Sequence, residues 1–306
     1  MLPFFLLYLW YIKILLNMEI RKYPDGASYV EVGPTLETGW TTFKVNTYED
    51  LHHLEQYVDA YVNRHQKQPN VLIPNLIDAQ ADRRFSKGQS SGLKLVCKRL
   101  NSMSANFTIF HPHNPEVVEA LIDGVKIMNN SYFVKEVISE IYCSQNNVKR
   151  DKGLFYHQKI DNLILMSSDA GGFKPLMKLC DEIKWSGATY SASKSRNLET
   201  GKLTQIIDCP DFGGKDILIV DDISVYGGTF KGLSKLLRDK NCGRIYLAVS
   251  HITIQNMGED PVTNYFDKVF TTDSKFDEYR FMDTYIDGTI PTTYQPENLE
   301  IIKMFN

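Results

Sequence analysis

One segment, residues 216–230, constrains the fold more than any other part of the chain. It reads D-I-L-I-V-D-D-I-S-V-Y-G-G-T-F, which is an apolar strand, a pair of acids and a glycine-containing turn. The pattern of a leucine-rich amphipathic helix follows, and residues 241–243 are predicted to end that helix. Residues 245–249 are a second apolar strand. Strand, crossover helix and strand make a βαβ unit, so the chain is predicted to contain a parallel sheet.

Short apolar strands alternate with amphipathic helices along the rest of the chain. The predicted strands are 29–32, 71–74, 107–110, 163–166, 206–208, 217–220 and 245–249. The predicted helices are 49–65, 92–103, 115–123, 134–144, 174–183 and 230–239. This alternation predicts an α/β fold made of two similar halves, each with a mainly parallel sheet flanked by helices.

The polar stretch 144–153 is the predicted linker between the halves. It divides the chain into an apolar extension at 1–17, a first domain at 18–145 and a second domain at 146–306. The extension is shorter than the roughly 20 apolar residues of a membrane-spanning helix, and it lacks the charge and cleavage pattern of a signal peptide. We interpret it as an upstream extension before Met18 or as a docking segment. A membrane anchor is the open alternative, but membrane association is not expected.

Composition excludes several classes of protein. The 306 residues carry 34 basic and 37 acidic side chains, a formal net charge of -3, so the strong positive field typical of nucleic-acid binding is missing. The five cysteines are scattered, which argues against a disulfide framework and a structural zinc site. We therefore expect a cytoplasmic globular protein whose partners are small molecules and not nucleic acids.

The turn after the strand at 217–220 has the features of a phosphate site. Gly227 and Gly228 let backbone N–H groups approach an anion, Thr229 adds a hydroxyl, and the next helix contributes the positive end of its dipole. Asp221 and Asp222 precede the turn, where carboxylates can accept hydrogen bonds from the vicinal hydroxyls of a ribose. A phosphate site beside a diol site predicts a ribose 5-phosphate ligand.

This segment resembles the phosphoribosyl-diphosphate loop of the type I phosphoribosyltransferase fold, and other segments narrow the resemblance to ribose-phosphate diphosphokinases. They follow in the family's order: 23–26 (Y-P-D-G), 73–84 (I-P-N-L-I-D-A-Q-A-D-R-R), 110–114 (F-H-P-H-N), 168–172 (S-D-A-G-G) and 193–201 (S-K-S-R-N-L-E-T-G). The resemblance implies two phosphoribosyltransferase-like halves. It also implies transfer of the diphosphoryl group of ATP to the 1-hydroxyl of ribose 5-phosphate, giving phosphoribosyl diphosphate and AMP.

The resemblance also implies roles for residues of the second half. Lys194 matches the catalytic lysine, and Arg196 matches the residue that contacts the ribose phosphate. Without the resemblance, a K-x-R pattern is most often a solvated edge strand. The ribose-phosphate loop includes Val225 and Tyr226 besides the residues already named.

Other matched residues are implied to serve ATP and magnesium. His113 and Asp169 match magnesium-site positions, and magnesium needs only one or two protein ligands besides substrate phosphates. If the segment at 110–114 stays extended, His111 lies on the same strand face as His113. The ATP-binding residues implied by the resemblance are Asp25, Gly26, Asp82, Arg83 and Arg84.

Three departures from the family pattern affect substrate recognition. The usual R-Q-D-R is Q-A-D-R at 80–83, Ala27 replaces an acid, and Val225 and Tyr226 replace an acidic and a small residue. These changes are compatible with a divergent, phage-like diphosphokinase, whose location would then be the host cytoplasm. They also permit a diphosphokinase acting on a larger ribose phosphate such as ADP-ribose, because the Tyr226 ring can stack on a second group.

Two further alternatives come from other classes. A phosphoribosyltransferase that consumes phosphoribosyl diphosphate shares the loop but does not need the matched elements around Asp82 and His113. A non-catalytic regulatory relative would have lost Lys194 and Arg196, which are present. Members of the family assemble into even oligomers, so the resemblance implies a homo-oligomer.

Overall fold

A computed structural model describes residues 18–35, 39–149, 160–196, 203–208, 211–254, 260–279, 281–282 and 293–305, with side chains for all but 194–196, 203–205, 281–282 and 293. By contacts the chain forms two compact units, one up to Asn129 together with Phe305, and one from Asn130 to Met304. The predicted domain boundary lies later, at 145/146. The difference arises because the helix after Asn130 packs its apolar face with the second unit's sheet.

The first unit combines a hairpin with a parallel sheet. Strands β1 (Met18–Lys22) and β2 (Ser28–Val32) pair antiparallel. Strands β3 (Thr41–Thr42), β4 (Asn70–Ile73), β5 (Asn106–Phe110) and β6 (Lys126–Met128) form a four-stranded parallel sheet in the order β3-β4-β5-β6. Helices α1 (Tyr48–His65), α2 (Gly92–Asn101) and α3 (Pro115–Leu121) connect successive strands of this sheet. Each crossover is thus a βαβ unit.

Helix α1 shows why these residues form a helix at this place. Thr47 caps its first turn by accepting from the Asp50 N–H at 3.1 Å, and the Asp50 carboxylate accepts from the Thr47 N–H at 2.8 Å. This reciprocal capping box satisfies N–H groups that have no partner inside the helix. The apolar face of α1 is buried in the same core as Val30, Val71 and Ile109. Burial of that face fixes the helix against its strands.

The second unit is built on a seven-stranded sheet in the order β15-β12-β11-β10-β7-β8-β9. Its strands are β7 (Leu163–Ser167), β8 (Thr189–Arg196), β9 (Leu203–Ile207), β10 (Asp216–Ser224), β11 (Ile245–Ile252), β12 (Lys268–Thr272) and β15 (Leu299–Ile302). All neighbours pair parallel except β8 and β9. Strands β13 (Phe281–Met282) and β14 (Thr293–Tyr294) form a separate antiparallel pair.

Helices α4 (Ser131–Asn146), α5 (Phe173–Ile183) and α6 (Gly228–Arg238) belong to this second unit. Residues alternate between the two faces of β10. Ile217 and Ile219 pack in one core with the leucines of α6, whereas Leu218 packs in another with α4 and α5. Both faces of the sheet are therefore covered, as expected for parallel strands.

The predicted fold class is confirmed, and all six predicted helices are present. Several predicted boundaries are wrong, including one at β10 and one at α4. Strand β10 continues through Ser224, because Ile223 and Ser224 still pair with β11. Helix α4 extends to Asn146, so the first residues of the predicted linker are helical. The extension 1–17 and residues 150–153 of the linker lie outside the described residues.

Candidate functional site

The strand order of the second unit creates a place for a ligand. From β7 the chain adds β8 on one side of the sheet and then crosses to add β10, β11 and β12 on the other side. Strands β7 and β10 are adjacent and parallel, so the order reverses between them. Ligands of open α/β sheets bind at the carboxyl ends of strands at such a switch point. The predicted residues Asp169 and Asp221–Thr229 follow or end these two strands.

The loop between β10 and α6 requires a glycine at its last position. Gly227 caps the helix with φ +72°, a left-handed conformation that side chains with a Cβ rarely adopt. A Cβ at this position would lie 2.8 Å from the Cβ of Val262, so the loop packs too closely for any larger residue. Gly228 begins α6, and a Cβ there would meet nothing within 4 Å. Backbone N–H groups at the start of this helix suit a phosphate.

Val262 supports this loop from a short 3-10 helix, Val262–Tyr265. Asp260 links this short helix to α6. Its carboxylate lies 3.0 Å from Lys231 Nζ of α6 and accepts from the Tyr265 hydroxyl of the 3-10 helix at 3.0 Å. Tyr226, at the tip of the loop, is 79% exposed. Most of its surface is therefore in contact with solvent.

Asp221 is held by hydrogen bonds to both of its carboxylate oxygens. The Ser168 hydroxyl donates to Oδ2, and the Asp222 backbone N–H donates to Oδ1 at 2.9 Å. Burial, followed by the charge of Asp222, raises the pKa of Asp221 to about 7, although the Ser168 hydrogen bond opposes this shift. The two adjacent acids thus do not ionise independently.

The segment after β7 is fixed by serine hydroxyls and backbone groups. The Asp169 carbonyl oxygen lies 3.0 Å from the Ser167 hydroxyl and 3.1 Å from the Ser191 hydroxyl. The Asp169 carboxylate accepts from the Gly172 N–H at 3.1 Å and so caps the short 3-10 helix Ala170–Gly172. These contacts hold Asp169 at the carboxyl end of β7.

The backbone of Lys194 and Arg196 lies in a two-stranded ribbon. Residues 192–196 of β8 leave the parallel sheet and pair antiparallel with β9, with Lys194 opposite Gln205 and Arg196 opposite Leu203. The rest of the matched segment, residues 197–201, lies outside the described residues.

In the first unit, residues implied to bind ATP follow the carboxyl end of β4. The Asp82 side chain is 9% exposed, and its Oδ2 lies 3.5 Å from Asn114 Nδ2 and 3.7 Å from Arg83 Nε. Arg83 and Arg84 are exposed. Asn114 follows β5, so the structure brings the segments after β4 and β5 together.

His113 is exposed and follows β5, but the expectation for His111 is wrong. Strand β5 ends at Phe110, and His111 has φ +38°, so the chain is not extended there. The His111 N–H donates to the Met128 carbonyl at 2.7 Å. This turn breaks the alternation that would have placed His111 and His113 on one strand face.

Asp25 and Gly26 form the turn of the β1–β2 hairpin. Gly26 has φ +92°, and Asp25 Oδ1 accepts from the Ala27 N–H at 3.0 Å. Lys22 lies 3.9 Å from Glu49 at the start of α1, and the neighbouring Tyr48 hydroxyl donates to Asp78. The hairpin and the segment after β4 therefore both contact the first turn of α1.

Within the part of the chain that the structure describes, no group of three or more His, Cys, Asp or Glu side chains forms a metal cage. Carboxylate oxygens such as that of Asp169 fit magnesium, which keeps waters and substrate oxygens in its shell. No helix among the described residues is both long and apolar enough to cross a membrane.

Two supporting residues, Ser168 and Val262, have roles that the sequence did not predict. Ser168 precedes Asp169 at a strand end, which is a usable signal, but its partner Asp221 lies 53 residues away. Val262 has no sequence signal, since its role depends on the packing of a distant 3-10 helix against Gly227.

Comparisons with known proteins agree with this geometry. Residues 140–283 match the family model described as phosphoribosyl transferase domain. The chain is similar to two proteins named ribose-phosphate pyrophosphokinase. That of Saccharolobus solfataricus is 25% identical over 248 residues, 78% of this chain and 78% of the relative. That of Thermoplasma volcanium is 24% identical over 264 residues, 84% of each chain.

The fold is similar to that of a solved structure, the phosphoribosylpyrophosphate synthetase from Mycobacterium smegmatis. The TM-score is 0.66 at 16% sequence identity, and the match covers 95% of this chain and 89% of the other. Sequence and fold therefore agree along most of the chain. The chain is therefore similar to ribose-phosphate pyrophosphokinases along most of its length, and residues 140–283 match the phosphoribosyl transferase domain.

Proposed function

We propose that the protein is a ribose-phosphate diphosphokinase that transfers the diphosphoryl group of ATP to ribose 5-phosphate. The observation that carries the proposal is the switch point between β7 and β10, where a glycine turn, a helix start and two carboxylates meet at one sheet edge. This arrangement suits a phosphate next to a sugar diol. The relatives' names support the same reaction.

In the reaction, the 1-hydroxyl oxygen of the sugar attacks the β-phosphorus of ATP. The bond from that phosphorus to the α–β bridging oxygen breaks, AMP leaves and the hydroxyl proton is lost. The loop at Gly227, Gly228 and Thr229 binds the 5-phosphate, while Asp221 and Asp222 orient the sugar. Lys194 stabilises the charge that builds up on the transferring oxygens, and Arg196 contacts the ribose phosphate.

The nucleotide site is proposed from the first unit. Asp25, Gly26, Asp82, Arg83 and Arg84 would contact ATP, since a guanidinium both stacks on a base and binds phosphate oxygens. The residues proposed to serve magnesium are His113 and Asp169. A bound magnesium ion would neutralise charge on the nucleotide phosphates. We place the protein in the cytoplasm as a homo-oligomer, in line with the family resemblance.

The exposed ring of Tyr226 favours one second candidate, a diphosphokinase for a larger ribose phosphate such as ADP-ribose. A ring at the tip of the phosphate loop can stack on a group beyond the phosphate. A phosphoribosyltransferase is the third candidate, and it would consume phosphoribosyl diphosphate without releasing AMP.

One assay separates these candidates. The purified protein is incubated with ATP and magnesium, with ribose 5-phosphate, ADP-ribose or no acceptor, and the released AMP is counted. We expect AMP only with ribose 5-phosphate. AMP formed only with ADP-ribose would favour the second candidate, and no acceptor-dependent AMP with either sugar would refute both diphosphokinase assignments.

A further inference from the structure

Ser168 joins the two strand ends that form the switch point. It follows β7 and is 4% exposed, and its hydroxyl donates to Oδ2 of Asp221 in β10. The two residues are 53 positions apart in sequence. A hydrogen bond from a hydroxyl to a carboxylate is charge-assisted when the acid is ionised, and such bonds are stronger than those between neutral groups.

The Asp221 carboxylate cannot rotate without losing a contact. Its other oxygen, Oδ1, accepts from the Asp222 N–H at 2.9 Å. Each carboxylate oxygen has two lone pairs, so each keeps one for a further donor such as a ligand hydroxyl. The protein has thus oriented this acid before any ligand arrives, which lowers the cost of ordering the site on binding.

The donor is itself rigidly held. The carbonyl of Asp169, next in the chain, lies within hydrogen-bond distance of the Ser167 and Ser191 hydroxyls. The Ser167 and Ser191 hydroxyls also lie 2.9 Å apart. Ser168 therefore offers its hydroxyl from a segment fixed to both β7 and β8.

We propose that Ser168 is a positioning residue for the sugar acceptor, acting through Asp221. The inference rests on the proposed function, because it takes the acceptor to be ribose 5-phosphate bound at the β10 loop. It adds to that function that Ser168 contributes to the affinity for the acceptor without itself contacting the reacting atoms.

The test measures kcat and the KM values of Ser168→Ala for both substrates. We expect the KM for ribose 5-phosphate to rise on the order of ten-fold, as for a lost hydrogen bond to a charged group, with the KM for ATP within about two-fold of wild type. Ser234→Ala is the matched control. Ser234 is also buried, but its hydroxyl donates to the Lys231 carbonyl within α6.

A double-mutant cycle distinguishes positioning from a structural role. Calorimetry measures ribose 5-phosphate binding to wild type, Ser168→Ala, Asp221→Asn and the double variant. If Ser168 acts through Asp221, the serine substitution costs on the order of ten-fold in the wild-type background and less than about two-fold in Asp221→Asn. An equal loss in both backgrounds, or no change in acceptor affinity, would overturn the inference.

The two proposals fail differently. A wild-type protein that binds no ribose 5-phosphate and forms no acceptor-dependent AMP would overturn the proposed function and this inference with it. A wild-type protein that does both, with Ser168→Ala unchanged in acceptor KM, would overturn the role of Ser168 alone. Melting curves of each variant show whether it is folded, and Ser168→Thr, which keeps the hydroxyl, is measured if the alanine variant is not.

Discussion

The two units of the chain use parallel strands in different ways. In the first sheet the order β3-β4-β5-β6 follows the chain, whereas in the second the order reverses between β7 and β10. In the second unit, the carboxylates of Asp221 and Asp169 are held by hydrogen bonds from other residues of the unit. The candidate residues of the first unit include the exposed side chains of Arg83, Arg84 and His113.

This difference indicates that the two units have different roles in substrate binding. A reversal of strand order leaves a crevice at the sheet edge in which polar groups can be held in advance of the ligand. A sheet without a reversal offers no such crevice, so its functional groups project from connecting segments. We therefore expect substitutions in the second unit to affect the acceptor and the reaction strongly, and those in the first unit to affect nucleotide binding modestly.

Lys194→Ala should have the largest effect. Loss of a cation where phosphoryl oxygens gain charge costs on the order of 100-fold or more in turnover. The affinity for ribose 5-phosphate should change little, because the glycine turn and the two acids remain. The measurement is acceptor-dependent AMP formation, with the exposed Lys178 changed to alanine as the control. Unchanged turnover would refute the assignment of Lys194.

Gly227→Ala should rank second. The alanine would have to adopt φ +72° with its Cβ 2.8 Å from Val262, and a strained backbone of this kind costs about 1–3 kcal/mol before any clash. We expect a lower melting temperature and a ten-fold or greater loss of ribose 5-phosphate affinity. For stability, Gly228→Ala is the control, since nothing lies within 4 Å of its Cβ position. Equal melting temperatures for the two variants would contradict the close packing at Gly227.

The helices and the loop residues of the candidate site were predictable because both are recognised from local sequence. The apolar periodicity of α6 and the D-D…G-G-T pattern before it need no knowledge of distant residues. Strands β12 and β15 were not predicted, since Lys268–Thr272 and Leu299–Ile302 are short and are defined as strands by their pairing at the edge of the second sheet.

Contacts that cross the sheet could not be predicted either. The Ser168–Asp221 hydrogen bond and the contact between Gly227 and Val262 require β7, β10 and the 3-10 helix to be in place. The end of β5 at Phe110 depends on the left-handed conformation of His111. The sequence does not predict this conformation, because the residue there is not a glycine.

Asp221→Asn should stabilise the fold while weakening function. The native state raises the pKa of this carboxyl from 3.8 to about 7, so the native state binds the proton more tightly than the unfolded state does. Ionisation therefore destabilises the fold progressively as pH rises from about 4 to about 7, and the whole penalty is present above that range.

The neutral amide removes this penalty. We expect the free energy of unfolding of Asp221→Asn to exceed that of wild type by about 1 kcal/mol or more near pH 8, and the difference to shrink toward about pH 4. Urea unfolding across this pH range measures it. If the difference in the free energy of unfolding does not depend on pH, ionisation of the buried Asp221 carboxyl does not destabilise the fold.

Substitutions of Arg83 and Arg84 to alanine should have the smallest effects. An exposed cation contributes on the order of 1 kcal/mol or less to an ionic contact, so we expect the KM for ATP to rise about five-fold or less. The melting temperature and the KM for ribose 5-phosphate should stay at wild-type values. Lys87→Ala, an exposed cation of the same segment, is the control. A large rise in the acceptor KM would break the proposed division between the units.

A crystal structure of the full chain with ribose 5-phosphate tests the central claim most directly. We predict the phosphate at the loop of Gly227, Gly228 and Thr229, with the sugar hydroxyls at Asp221 and Asp222 and the Tyr226 ring outside the turn. Phosphate bound instead by the first unit's arginines, or a glycine turn filled by the tyrosine ring, would contradict the claim that the second unit holds the acceptor.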